Sequence, residues 1–261
     1  MINQVQKRVL ILALRAGELM MRSGAEVSRV EDTVTRICKA CKIPYVEVFA
    51  LTTGIFVSVD KGSQDSDMHT FIKRIESTSI DLDKISKINQ FSREFSNTDL
   101  SMDAGFEILK EIAKRKPYNI WVRILGACLV SSFFCLIFGG APIDFVSAFI
   151  IGAFSYIASI LLDKVETNPF IRGFLCCAMS TFLAIIATNI GLGANVSSII
   201  IGSIMIFLPG VAITNAVRDT LSGHMLAGVT KGIEAVIIAI SLAVGVGFAF
   251  EVWQTLGGII Q

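Results

Sequence analysis

The chain has 261 residues, of which 53% are hydrophobic, and its mean hydropathy is +0.67. This composition is too apolar for an ordinary soluble domain. The net charge of +1 does not indicate a nucleic-acid partner and no tract rich in Lys and Arg supports one, so none is predicted. Residues 1–118 carry 34 of the 45 charged residues. We therefore predict two domains, a soluble-type domain at 1–116 and a transmembrane domain at 117–261.

Two amphipathic helices are predicted at the start of the chain. Apolar residues recur there at alternating steps of four and three, first over 5–19 and then over 27–41. Ser23-Gly24 separates the two stripes, since glycine adopts the left-handed backbone that ends helices. The apolar run "VLILAL" is too short for a signal peptide and is followed by Arg15 and Glu18. The domain is therefore expected to stay on the side where it is made.

Strands and further helices follow. "YVEVFAL", "IFVSV" and "MHTFIKRI" read as three β-strands, because β-branched and aromatic residues dominate them and Thr52-Thr53-Gly54 separates the first two. Helices are predicted near 81–96 and 101–115. The order ααβββαα over about 115 residues indicates a compact α+β domain.

The second helix is dense in charge. Arg29, Asp32 and Arg36 share one of its faces, which is either a solvated surface with weak ion pairs or a docking surface for the membrane half or a partner. Cys38 and Cys41 form a CxxC that closes a helix, so we interpret them as packed thiols. No metal site, cofactor or catalytic residue is predicted, because no set of nucleophile, base and orienting group can be assembled. The chain is not expected to be an enzyme.

Five apolar stretches in the second half are long enough to cross a bilayer, for which about 20 residues are needed. They predict an α-helical integral membrane protein with five transmembrane helices and an N-terminal cytoplasmic α+β domain. The stretches are about 119–139, 143–162, 170–190, 194–213 and 233–253.

Basic residues predict the orientation of these spans. They cluster before the first span and in the links between spans two and three and between spans four and five. The segments on the opposite side, "GGAP", "GLGA" and "QTLGGIIQ", contain no Lys or Arg. By the positive-inside rule the N-terminus is cytoplasmic and the C-terminus is external, as in a multi-pass protein of the cell membrane.

Two motifs resemble the threonine/serine exporter (ThrE-type) family. "SGAEVSRVEDTVTRIC", followed by the hairpin "VEVFALTTGIFVSV", carries the resemblance in the soluble half. "LPGVAITNAVRDTLSGHMLAGVTKGIEA" (208–235) carries it in the membrane half. The resemblance covers nearly the whole chain.

The resemblance implies export of small carboxylate metabolites, either threonine/serine-type amino acids or succinate-like dicarboxylates. The chain is similar to the larger component of the split form, which works with a second small integral membrane subunit in the lipid bilayer. Assembly of several copies of the chain is left open. The alternative function is a membrane-anchored enzyme or signalling module whose soluble domain is the active part.

The stretch "FLPGVAITNAVRDTLSGH" (207–224) is polar where its neighbours are apolar. Pro209 and Gly210 predict a helix break, because proline removes a hydrogen-bond donor and glycine tolerates an unwound backbone. After the break, polar residues recur about every four positions over 214–222 and form one stripe on a helix. That stripe either caps the fourth span at the membrane surface or lines an aqueous cavity at membrane depth.

In a cavity, Arg218 is the residue suited to hold a carboxylate, because its planar fork matches carboxylate geometry. Asn215 adds hydrogen bonds, and Asp219 either holds Arg218 or exchanges a proton. Glu234, near the start of the fifth span, is the second candidate for proton coupling. His224 is interpreted as a loop residue.

Gly228 and Gly232 form a small-xxx-small pair. Such a pair lets two helices approach closely. Its alternative role is to give a lipid-facing helix flexibility.

Overall fold

We describe residues 4–60 and 68–260 in a computed structural model of the chain. The chain divides into two compact units. The first contains Met1–Lys116 and Val211–Ile233, and the second contains Pro117–Gly210 and Glu234–Gln261. Residues 211–233, which the sequence analysis assigned to the transmembrane domain, therefore cluster with the N-terminal residues. Gln261, the last residue of the tail that is predicted to be external, lies outside the described residues.

The first unit has the predicted order of helices and strands. Its three strands form one antiparallel sheet in the order β1-β2-β3, with Phe49 opposite Phe56 and Val57 opposite Phe71. Its elements are α1 (Gln4–Arg22), α2 (Val27–Ala40), β1 (Tyr45–Leu51), β2 (Gly54–Asp60), β3 (His69–Arg74), α3 (Leu82–Asn97), α4 (Met102–Lys114), most of α9 (Gly210–Leu221) and the first turns of α10 (Met225–Ile260).

The hydrophobic core of this unit lies between the helices and one face of the sheet. The apolar stripes predicted from the sequence supply it, with Leu12 of α1 and Val34 of α2 fully buried. Ile55 of β2 and Ile88 of α3 complete its centre. Ala227 of α10 is part of the same core, although it is more than a hundred residues away in sequence.

Four helices of the second half, counted within the described residues, are long and apolar enough to cross a membrane: Ile120–Ile137, Pro142–Lys164, Pro169–Asn189 and Met225–Thr255. The predicted span 194–213 is not one straight helix. Val196–Phe207 and Gly210–Leu221 form a pair bent by 60° at Leu208-Pro209, so there are five candidate spans if the pair counts as one. The Pro-Gly break was predicted. The helix Gly210–Leu221 that follows the break was not predicted as part of a span, because the sequence analysis assigned most of it to the link between spans four and five.

The second unit consists of α5 (Ile120–Ile137), α6 (Pro142–Lys164), α7 (Pro169–Asn189), α8 (Val196–Ile204) with a 3-10 turn (Met205–Phe207), and the remainder of α10. Asp144 at the start of α6 is fully buried in it. Its carboxylate accepts hydrogen bonds from the backbone N–H groups of Ala141 (2.8 Å), Ala194 (2.6 Å) and Asn195 (3.2 Å). Asp144 thus ties α6 to the loop between α7 and α8, a role that the sequence analysis did not predict.

Candidate functional site

The helix α9 begins directly after the Pro-Gly break and has a polar and an apolar side. Asn215, Ala216 and Asp219 are buried on one side. Val217 and Leu221 on the other side are 54% and 82% exposed. Two residues of the predicted polar stripe, Asn215 and Asp219, therefore face the N-terminus of α2 within the first unit, whereas Thr214, Arg218 and Ser222 are exposed.

Asp219 caps α2 from a distant part of the chain. The Asp219 side chain is 1% exposed, and its Oδ1 accepts a hydrogen bond of 3.0 Å from the backbone N–H of Val27, the first residue of α2. Helices usually begin with Ser, Thr, Asp or Asn, whose side chain bonds such an N–H. Here Glu26 occupies that position and its side chain makes no capping bond. Asp219 supplies the missing acceptor, and its negative charge is favourable at a helix N-terminus.

Asn215 makes the second contact. Its Nδ2 donates a hydrogen bond of 2.8 Å to the backbone carbonyl of Gly24. Gly24 has a φ of +81°, in the left-handed region, as predicted for the turn between α1 and α2. Asn215 and Asp219, one helical turn apart, therefore hold α9 on the α1–α2 turn.

Arg218 lies between these two residues and makes an ion pair. Its Nη1 donates to Oε1 of Glu26 at 2.8 Å, and the same oxygen lies 3.0 Å from Arg29 Nη2. The Arg218 side chain is 55% exposed, whereas that of Glu26 is 15% exposed. The guanidinium group therefore already holds one carboxylate and remains accessible on its outer side.

The end of α9 contributes a histidine–carboxylate contact. The backbone N–H of His224 donates to the Asp219 carbonyl at 2.8 Å, and His224 Nε2 lies 3.7 Å from Glu31 Oε2. Glu31 Oε1 accepts from the backbone N–H of Ala50 at 2.8 Å. Partial burial raises the pKa of Glu31, because it disfavours the charged form, while the Ala50 N–H and His224 act in the opposite direction. His224 is thus in contact with α2 and not only part of a loop.

The structure brings three of the predicted site residues together, namely Asn215, Arg218 and Asp219. Glu234 is an exposed residue of α10 and belongs to the second unit. The sequence analysis missed the residues that the three contact. One signal for them was available, since α2 begins without a capping side chain. The sequence does not reveal that the cap comes from residue 219.

Cys38 and Cys41 have raised pKa values. Burial raises the pKa of Cys38 to about 12, with a smaller contribution from the neighbouring Cys41. Burial also raises the pKa of Cys41. Reactive thiols have lowered pKa values. Cys38 is fully buried, as the interpretation of this pair as packed thiols requires.

Gly228 lets α10 approach α9 closely. A Cβ atom at Gly228 would lie 2.9 Å from the Ala216 carbonyl oxygen and 2.9 Å from the Thr220 backbone nitrogen. At Gly232, the nearest atom would be Ala216 Cβ at 3.9 Å. Only the first glycine of the predicted small-xxx-small pair is therefore required by packing against α9.

We expect Gly228→Ala to lower the free energy of unfolding by about 1–3 kcal/mol, because the new methyl group meets backbone atoms that cannot rotate away. Gly232→Ala is the matched control and should be neutral or slightly stabilising, since alanine favours helix by about 1 kcal/mol. Thermal unfolding of the purified protein in detergent measures both. Equal effects of the two substitutions would contradict the close approach at Gly228.

Comparison with protein families identifies the family of the chain. The family model ThrE, described as "Putative threonine/serine exporter", matches residues 11–253. The chain belongs to this family. The family is one of exporters and not of enzymes, which confirms the expectation that the chain is not an enzyme and argues against a membrane-anchored enzyme. Membership in a transport family, together with the candidate spans among the described residues, indicates a multi-pass membrane protein.

The relatives that match the chain differ in length. The chain is 22% identical to the "Probable threonine/serine exporter" of Mycobacterium tuberculosis over 92% of the chain and 45% of that protein. It is 21% identical to the "Threonine/serine exporter" of Corynebacterium glutamicum over 95% of the chain and 52% of that protein. The chain thus spans about half the length of these relatives. By contrast, the chain is 22% identical to the "Probable succinate transporter subunit YjjP" of Escherichia coli, and the alignment covers 98% of the chain and 99% of that protein. No solved structure matches the chain.

The two motifs that carried the resemblance to the ThrE family are in contact with each other. Gly24, Glu26 and Val27 belong to the first motif. The side chains that bond to them, at 215, 218 and 219, belong to the second. The contact between α9 and the N-terminus of α2 is therefore our candidate functional site.

Proposed function

We propose that the chain is one component of a membrane exporter for small carboxylate metabolites, either threonine/serine-type amino acids or succinate-like dicarboxylates. The observation that carries the proposal is the position of Arg218. Its guanidinium group is held by Glu26 and is still more than half exposed, on a helix that follows a Pro-Gly break. A planar guanidinium binds carboxylates through two parallel hydrogen bonds. A substrate carboxylate that replaced the Glu26 carboxylate would form the same kind of ion pair with Arg218.

The neighbouring residues shape this site. Asn215 is buried and uses one N–H for the bond to Gly24, and we propose that the second N–H of its amide bonds to the substrate when a substrate carboxylate replaces Glu26. Asp219 keeps α9 in position through its bond to Val27. Asp219 and Glu234 are the proposed proton-coupling residues, because carboxylates on broken or polar helices of transporters serve as proton relays. Pro209 and Gly210 provide the break that this arrangement requires.

We further propose that the chain acts with a second small integral membrane subunit. The support comes from length: two relatives named as exporters are about twice as long as the chain, whereas the Escherichia coli relative of equal length is named a transporter subunit. Residues 117–261 then supply the membrane spans of one component, with residues 1–116 on the cytoplasmic side.

Efflux from cells tests this function. Cells that contain the chain together with a candidate second small membrane subunit are loaded with labelled threonine, serine or succinate, and release is followed after dilution. We expect release of at least one of these compounds to need both proteins. Equal release from cells that contain neither protein would reject the proposal. Release with this chain alone would reject the second subunit but not the transport function.

Orientation is tested separately. We expect reporter domains fused after Lys116 and after Gln261 to lie in opposite compartments, because the basic residues lie on one side of the five predicted spans. Phosphatase and fluorescent reporters that are active on only one side of the membrane measure this. Labelling of one compartment by both fusions would mean an even number of spans.

A further inference from the structure

A basic cavity lies in the first unit, away from α9. Its volume is about 550 Å³, and α1, β3, α3, α4 and the loop 75–81 line it. Four of the lining side chains are basic and one is acidic. These are Arg15, Arg22, Lys73 and Lys84, with Glu18 as the acid. Such an excess of positive charge in a concave site raises the local concentration of anions.

The single lining carboxylate neutralises only part of this charge. Glu18 lies 3.2 Å from Arg22 and 3.1 Å from Lys73, so two cations share one carboxylate. Lys84 is 3.5 Å from Asp81, which does not line the cavity. Within residues 4–60 and 68–260, no carboxylate lies within ion-pair distance of Arg15. The cavity is therefore lined by the exposed guanidinium group of Arg15. It is also lined by the side chains of Arg22 and Lys73, which share the Glu18 carboxylate.

The backbone of the cavity is also held in place. The N–H of Ser79 donates to the carbonyl of Arg22 at 2.7 Å, and the N–H of Asp81 donates to the carbonyl of Ser23 at 3.0 Å. These bonds tie the loop 75–81 to the end of α1. The hydroxyl groups of Ser77 and Thr78, which line the cavity, add hydrogen-bond donors that suit carboxylate or phosphate oxygens.

We propose that this cavity binds a small anion with two or more negative charges, of the dicarboxylate or phosphate type. Charge balance favours this class: the four lining cations and Glu18 leave a net charge of +3, or +2 when Asp81 beside Lys84 is included, so an anion with one negative charge leaves an excess of positive charge. A zwitterionic amino acid, with no net charge, brings a cation into a space that already has an excess of them. The site is distinct from Arg218, and the inference does not depend on transport by the chain.

Binding to the purified full-length chain in detergent, measured by titration calorimetry at low salt, tests the proposal. The probes are succinate, inorganic phosphate and threonine, and the chain carries Arg218→Gln so that the proposed transport site contributes no heat. We expect succinate or phosphate to bind and threonine not to bind. Binding of succinate alone identifies a carboxylate ligand, binding of phosphate alone identifies a phosphate-type ligand, and binding of both identifies a general dianion site.

Arg15→Gln in the same background should weaken binding of the dianion about tenfold, as expected for loss of a charge-assisted hydrogen bond. Arg93→Gln removes an exposed arginine of α3 that does not line the cavity and should leave binding unchanged. Arg15→Lys keeps the charge and should retain most of the affinity. The proposal is overturned if no dianion binds to the folded chain, if threonine binds equally well, or if Arg15→Gln and Arg93→Gln weaken binding to the same extent.

Discussion

Arg218→Lys should reduce export by at least about tenfold while the protein is still made and inserted. Lysine keeps the positive charge but cannot form the two parallel hydrogen bonds of a guanidinium group with a carboxylate. Hydrogen bonds to charged groups contribute about 1.5–3 kcal/mol each, and 1.4 kcal/mol corresponds to a factor of ten. Initial rates of efflux in cells, normalised to the amount of protein in the membrane, measure the effect.

The ion pair with Glu26 provides the controls for this experiment. Arg29 contacts the same Glu26 oxygen at 3.0 Å, so Arg29→Gln removes an equivalent ion pair and should leave export close to that of the parent. Glu26→Gln leaves Arg218 in place without its carboxylate partner and should retain export. The alternative is that Arg218 acts only through its ion pair with Glu26. In that case export should fall by the same factor in Arg218→Gln, in Glu26→Gln and in the double variant. That outcome would reduce Arg218 to a structural contact and direct the search for the substrate site to Glu234 or the second subunit.

Asp219→Ala should lower the stability of the first unit by about 1–3 kcal/mol, because it leaves the buried N–H of Val27 without an acceptor. Loss of a capping side chain typically costs about 1 kcal/mol, which agrees with this range. Thermal or denaturant unfolding of the purified chain measures the change. Asp103→Ala is the matched control: Asp103 is an exposed first-turn acid of α4, where Ser101 provides the cap, so its loss should cost much less. Equal effects would show that Asp219 does not cap α2.

Asp219→Asn separates capping from proton coupling. The amide oxygen still accepts a hydrogen bond from Val27, so we expect most of the stability to be retained. The amide cannot exchange a proton at physiological pH, so the pH dependence of export should shift if Asp219 carries the coupled proton. Export measured across a range of cytoplasmic pH decides between the two roles. An unchanged pH profile would leave Asp219 with a positioning role only, and Glu234→Gln is then the next variant to test for proton coupling.

Local patterns predicted most of the helices and strands. The apolar stripes of α1 and α2 and the β-branched runs of β1 and β2 are periodic over short ranges, and those ranges match the observed elements. The turn at Gly24 was predicted because only glycine adopts its φ without strain. Pro209 likewise predicted the break in the fourth span.

The contacts of the candidate site could not be predicted in the same way. Asp219 and Val27 are separated by 192 positions, and no periodicity relates them. The polar side of a helix next to a membrane span can face water in a cavity or pack against another part of the protein. Both environments select the same stripe of polar residues in the sequence. The assignment of 211–233 to the transmembrane domain followed from the distribution of charged residues along the chain. That distribution carries no information on the packing of Ala227 in the core of the first unit.

The cap that Asp219 provides for α2 also sets an order of events during synthesis. Val27 leaves the ribosome 192 residues before Asp219, which corresponds to roughly 10–40 s at ordinary translation rates of about 5–20 residues per second. During that interval the N-terminal residues lack the acceptor for α2 and the Ala227 contribution to their core. The first unit therefore matures only after the apolar segments between its two parts have been made and inserted. A nascent chain stalled before residue 211 should accordingly be more sensitive to protease at residues 24–40 than one released at full length.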